Sequence, residues 1–228
     1  SLFLASDAIA AAPGLAEDHP KAVSAGRVFS RLVAAIGDAR TPPTLRLVPE
    51  ARGSSVQIAW YSLQAHTVFL EERVYDLCVA QEADSLAALA VLLGHELAHF
   101  YENHNWAGDF GNGFADLQVG RQMRDAHRQR GLSYETEADV FGGYYGYVAG
   151  YNTLGVAPRL LAEIYRTFEL SDDLPGYPGL AERQGIATRS QRQLSELIPV
   201  FDTARHLLVI GEYEMAAAAF DWLATRFP

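Results

Sequence analysis

Val91-Leu92-Leu93-Gly94-His95-Glu96-Leu97-Ala98-His99-Phe100 closes an apolar run that begins at Ser85. Two histidines four residues apart leave one face of a helix one turn apart, so both imidazoles reach a single metal ion. Glu96, directly after the first histidine, is placed to take a proton from a water that the ion activates. Ser85 to Phe100 is rich in Ala and Leu, lacks Pro, and holds only Gly94 as a weak helix former. The motif is therefore expected on a buried helix.

The surrounding chain can bury such a helix. Its 228 residues allow one sizeable domain, or a domain with an appendage. A hydrophobic fraction of 49% fits a globular chain. Net charge is −10, which argues against a broad nucleic-acid or anionic-membrane surface. No apolar run approaches the roughly 20 residues a membrane-spanning helix needs, so no span is expected. Cys78, the lone cysteine, sits among Tyr75, Leu77 and Val79 and reads as a core residue. The segment 1–17 is either the remnant of an export signal or an ordinary amphipathic stretch, so the compartment stays open.

Residues 18 to 37 read as an amphipathic helix, with Val23, Val28, Phe29, Leu32, Val33 and Ile36 on one side, broken by Thr41-Pro42-Pro43. Leu45 to Val48 is a strand candidate, and Val56 to Tyr61 and Thr67 to Leu70 read as a hairpin. Glu71 to Val79 is a short helix. Asn103 to Gly113, rich in Asn, Gly and Asp, reads as a loop. Two helices are expected next, Phe114 to Arg130 and Ser133 to Tyr151, with Ser133 as cap. Gly142, Gly143, Gly146 and Gly150 in the second favour close helix–helix contact. Val156 to Phe168 is another helix and Ser171 to Pro178 a loop. Glu182 to Phe227 is helical with a break at Gly211. There Gly211, Tyr213, Ala216, Phe220 and Pro228 match the second half of a tetratricopeptide unit, the alternative being an ordinary helical hairpin.

Two imidazoles leave a catalytic zinc ion short of a third protein ligand. The metzincin continuation would put Gly and His three and six residues beyond His99. Glu102 and Asn105 stand there instead, which excludes that subclass. The remaining common solution is a glutamate on a later helix, followed one turn on by an acidic residue. Glu135-Thr136-Glu137-Ala138-Asp139 carries that spacing in a helical pattern, whereas Glu169 to Asp173 carries it into a loop. Glu135 is the assigned third ligand, with Glu137 and Glu169 as rivals. Glu137 points about 160° away from Glu135 on a helix, so both cannot face the metal. Asp139 would accept the other N–H of a ligating histidine and fix its tautomer. His104 lies about 140° off the ligand face of the motif helix. It reads as a bystander, as do His19, His66, His127 and His206.

His95-Glu96-Leu97-Ala98-His99 followed by Glu135-x-x-x-Asp139 resembles the gluzincin metallopeptidases of the HtpX and CAAX-prenyl-protease type. The likeness spans about residues 22 to 190 and includes Tyr177-Pro178-Gly179-Leu180-Ala181-Glu182-Arg183, similar to the family's His-Pro-x-x-x-x-Arg segment. It implies an α+β, predominantly helical, zincin-like fold with a small antiparallel or mixed sheet beside the motif helix. The implied metallopeptidase domain covers residues 18–190, and residues 191–228 form a helical hairpin or tetratricopeptide-like unit. It implies one zinc ion per chain and hydrolysis of a polypeptide substrate, added as a strand beside Val56 to Tyr61. Tyr177 replaces the family's histidine and is a candidate oxyanion donor. Arg183 is a candidate to support the carboxylates or the oxyanion, against a plain structural role. The absence of the family's membrane helices points to its soluble, often exported branch, where the C-terminal helices would recruit a protein partner. The rival expectation is a non-catalytic interaction module with a structural or vestigial zinc site.

Overall fold

The computed structural model of the protein describes residues 14–50, 58–170 and 179–226. In chain order these form α1 (Pro20–Ile36), β1 (Thr44–Val48), β2 (Ala59–Ser62), β3 (Thr67–Glu71), α2 (Glu72–Val79), a 3-10 turn (Glu82–Asp84), α3 (Ser85–Tyr101) and α4 (Trp106–Gly113). They continue with α5 (Gln118–Val148), α6 (Val156–Thr167), α7 (Leu180–Val209) and α8 (Tyr213–Ala224). The architecture is α+β and predominantly helical. Tyr177, the loop 171–178, strand residues 56–57, most of the segment 1–17 and Pro228 of the repeat pattern lie outside the described residues.

From Ala87 to Tyr101 every side chain of α3 except Val91 is buried. A helix that is apolar on every side has to be covered on every side. Here the cover comes from α1, α2, α5, α6 and the sheet. The sheet is mixed, in the order β1-β3-β2. β1 runs parallel to β3 in the register Leu45↔Val68, and β2 runs antiparallel to it in the register Tyr61↔Val68. β2 is one of the two edge strands and packs on α3. Trp60 stacks on Phe69 with ring centroids 4.9 Å apart, so this aromatic is a core element. Cys78 is fully buried, and burial pushes its thiol up to about 12. Among the described residues no single helix is long and apolar enough to cross a membrane.

Two expectations change. Asn103 to Gly113 contains a helix rather than only a loop. Trp106, Phe110 and Phe114 stack along the outer side of α4 at successive turns. Gly111 lets its backbone approach α5, where an added Cβ would lie 2.7 Å from Arg124 N. The glycines there serve close packing, which overrides their low helix propensity. Second, α5 is one helix where two were expected. Ser133 sits in its interior, its N-terminal half held by α4 and its C-terminal half by α3. α7 runs unbroken through residues 190 and 191 to Val209, in line with the helical stretch expected to break at Gly211. It is tied to α5 by Tyr147 Oη donating to Asp202 at 2.6 Å and by Tyr144 packing on Phe201. The turn at Gly211 (φ 86°) then folds α8 back on α7 as a hairpin, burying Ala216 and Leu223.

The α3–α5 crossing is the closest approach of backbone to backbone near the motif. A Cβ on Gly94 would meet Gly142 O at 2.6 Å, and one on Gly142 would meet His95 N at 2.5 Å. Neither neighbour is a flexible side chain, so neither can yield. Gly142→Ala is expected to push α5 off α3, lowering stability by about 1–3 kcal/mol, as overpacking does. It should also weaken metal binding at the site beside it. Urea unfolding with a parallel metal titration checks this, and an unchanged midpoint with unchanged affinity would contradict it.

Candidate metal centre

His95 and His99 project from successive turns of α3 toward Glu135 on α5, and all three are buried. The His95 and His99 Nε2 atoms lie 3.1 Å apart. Glu135 Oε2 is 3.4 Å from His95 Nε2, and its Oε1 is 3.5 Å from His99 Nε2. Zinc bonds of about 2.0–2.1 Å in tetrahedral array put ligand atoms about 3.3–3.4 Å apart. The two imidazole nitrogens and the Glu135 oxygens stand 3.1 to 3.5 Å apart, near that spacing, so the group could hold a metal ion. Glu169, the distant rival, falls in the turn after α6 with φ 49° and is not part of this group.

Hydrogen bonding behind the ligands orients them. His95 Nδ1 lies 2.9 Å from Asp139 Oδ1. A carboxylate only accepts, so His95 Nδ1 carries a proton. On the other side, His99 Nδ1 lies 3.0 Å from His104 Nδ1, and His104 Nε2 lies 3.1 Å from Glu137 Oε2. By the same rule His104 Nε2 donates to Glu137, His104 Nδ1 accepts, and His99 Nδ1 donates to it. Both Nε2 atoms are thereby turned toward each other and toward the Glu135 carboxylate. In the metal-free protein one proton between the two Nε2 atoms resolves this convergence. Burial works against a charge on His95, but the hydrogen bonds to Asp139 and Glu135 carry it up to about 9. Burial holds His99 well below its usual value and His104 down to about 4, so both are neutral acceptors.

Glu96, next to His95 on α3, is fully buried. Its Oε2 accepts the Tyr61 backbone N–H at 3.0 Å, while Oε1 has no hydrogen-bond partner among the described residues. Burial raises its carboxyl above the usual range. Asn105 Nδ2 donates to Tyr61 O at 3.4 Å, so both outward main-chain groups of Tyr61 are taken. That leaves Tyr61 no free group for the added substrate strand expected along this segment.

Arg183, on α7, is one of the largest fully buried side chains. Its Nη1 donates to Glu135 Oε2 at 2.5 Å and its Nη2 to Asp139 Oδ1 at 3.4 Å. Burial opposes ionisation of Glu135, yet His95 and Arg183 beside it hold its carboxyl well below the ordinary value. Arg183 thus touches the two carboxylates, which is the first of the roles expected for it.

His104 is the residue the sequence reading set aside and the structure brings in. α3 ends in a reversal in which His104 N–H bonds to His99 O (3.0 Å) and Asn103 N–H to Phe100 O (3.2 Å). Asn103 takes the left-handed conformation with φ 55°. This is the paired-bond helix terminus in which Asn or Gly follows the cap. Extrapolating helical angles past residue 101 put His104 off the face; the reversal returns it onto His99. An Asn two residues beyond the end of an apolar run is the signal that locates this turn. Glu137, a rival ligand, is instead the acceptor for His104.

Neither the family models nor the curated proteins compared with this chain match it. The chemistry available to the site is accordingly set by its donor atoms. One proton occupies the gap between His95 and His99 below about pH 9, and a metal ion has to displace it. Zinc binding at pH 6 is expected to release about one proton per ion, and affinity to rise with pH until His95 has lost that proton near 9. Calorimetry in buffers of different ionisation enthalpy measures this; binding with no proton release would contradict the arrangement.

Proposed function

We propose that the chain is a zinc-dependent endopeptidase of the gluzincin type, holding one zinc ion through His95, His99 and Glu135. A two-imidazole, one-carboxylate set suits zinc and leaves a fourth position open, as catalytic sites do. Zinc bound there would polarise a peptide carbonyl and acidify its water.

The observation that carries the reading is Glu96. A structural metal site has no use for a buried carboxylate beside its ligand with one oxygen uncommitted. A general base needs that oxygen, and a raised pKa brings it nearer the operating pH. Tyr61 N–H anchors the other oxygen and fixes the carboxylate's direction. Glu96 would take a proton from the attacking water and return it to the leaving amine. Arg183 bridges Glu135 and Asp139, offsetting one of their two charges and holding both in place, which keeps it from serving the oxyanion as well. By resemblance the oxyanion donor would be Tyr177. The polypeptide substrate would reach the site from outside Tyr61, whose main-chain groups are engaged.

Glu96→Gln tests the assignment. The variant should keep bound zinc, since the ligands are untouched, and lose about 10²-fold or more of cleavage of a denatured protein substrate. Undiminished cleavage by the zinc-loaded variant would overturn the peptidase reading.

A further inference from the structure

We infer that His104 and Glu137 form a positioning relay for the metal ligand His99, with the neutral His104 ring passing the His99 Nδ1–H on to the Glu137 carboxylate. The role rests on the metal-centre reading of His95, His99 and Glu135.

A ligating histidine ordinarily gives its second N–H to a carboxylate, a backbone carbonyl or water. His95 does so directly, to Asp139. For His99 the acceptor is another imidazole, His104 Nδ1 at 3.0 Å, itself almost completely buried. An imidazole accepts at one nitrogen only when its other nitrogen carries the proton. Glu137 enforces that tautomer by accepting from His104 Nε2 at 3.1 Å. The ring is fixed on both sides. It stands edge-on to His99 with centroids 4.9 Å apart and stacks on Tyr134 at 4.7 Å. The helix reversal at Asn103 sets where its backbone lies.

The relay has two consequences. It turns the His99 Nε2 lone pair toward the ion's position, and the hydrogen bonds through His104 to Glu137 make that nitrogen a more basic ligand. Glu137 is the outer end, with its side chain 40% exposed. The metal is thus flanked by two orienting carboxylates: Asp139 one ring away, and Glu137 two rings away.

The test uses the full chain with Zn²⁺ as probe and reads metal affinity, not activity. Competition against a chromophoric chelator compares wild type with His104→Ala, His104→Asn and Glu137→Ala. Loss of an orienting partner ordinarily costs about 10–100-fold in metal affinity, and that loss is expected for His104→Ala. His104→Asn, whose carboxamide oxygen can stand near the place of Nδ1, should recover most of it. Glu137→Ala should show a smaller loss. Affinity unchanged in His104→Ala, or equal losses in the Ala and Asn variants, would overturn the relay. ¹⁵N spectra of zinc-loaded wild type decide the matter even if a variant misfolds. They should show His104 protonated at Nε2 and coupled through a hydrogen bond to His99 Nδ1. Protonation of His104 at Nδ1 would overturn the relay while leaving the metal centre standing. A wild type that takes up no zinc would remove the metal centre and the relay together.

Discussion

The contact on which the site depends is the crossing of α3 and α5 at Gly94 and Gly142. No side chain separates the two backbones there, and each glycine stands where a Cβ would strike the main chain of the other helix. Because the crossing lies directly beside His95, it sets the distance from the imidazoles to the carboxylates of α5. Glu135 and Asp139, one turn apart on that helix, then meet the two nitrogens of the His95 ring: one at Nε2, the other at Nδ1. Any side chain at the crossing would move both contacts at once.

Burying so many ionisable groups demands that their charges and hydrogen bonds close on one another. Arg183 offsets one of the two charges of Glu135 and Asp139, and the chain Asp139–His95–His99–His104–Glu137 gives every ring nitrogen a partner. One net positive charge remains to be placed between His95 and His99. A proton serves there without a metal, and a divalent ion is the stronger candidate for the same position. Asp139 Oδ2, Arg183 Nε and Glu96 Oε1 have no hydrogen-bond partner among the described residues, and of these three residues Glu96 alone stands outside the contacts between Arg183 and the carboxylates. It is fully buried with an oxygen left over, and an unsatisfied buried carboxylate oxygen is costly unless it has work to do.

Much of this was legible in the residues because it obeys regular helical geometry. The four-residue spacing of His95 and His99 and that of Glu135 and Asp139 each translate directly into a shared face. The lack of polar positions in Leu86 to Phe100 other than those of the motif itself translates into a buried helix. What escaped depends on places where the regularity stops or where tertiary contact overrides local preference. His104 was placed by continuing a helix past its end, whereas the left-handed Asn103 reverses the chain. Gly108 and Gly111 looked like loop composition, yet they let α4 lie close against α5. Gly131 and Ser133 looked like a break, but packing at both ends of α5 carries the helix through them. The partnership of Arg183 with Glu135 spans 48 residues, a separation over which only the resemblance pointed to the arginine.

X-ray absorption spectroscopy of the zinc-loaded chain tests the central claim most directly, because it reports the atoms around the ion. The account predicts one zinc per chain with nitrogen and oxygen neighbours alone at about 2.0–2.1 Å, and scattering from two imidazoles. A third imidazole at bonding distance would make His104 a ligand and close the fourth position. That result, a sulfur neighbour, or a chain that binds no zinc would contradict it.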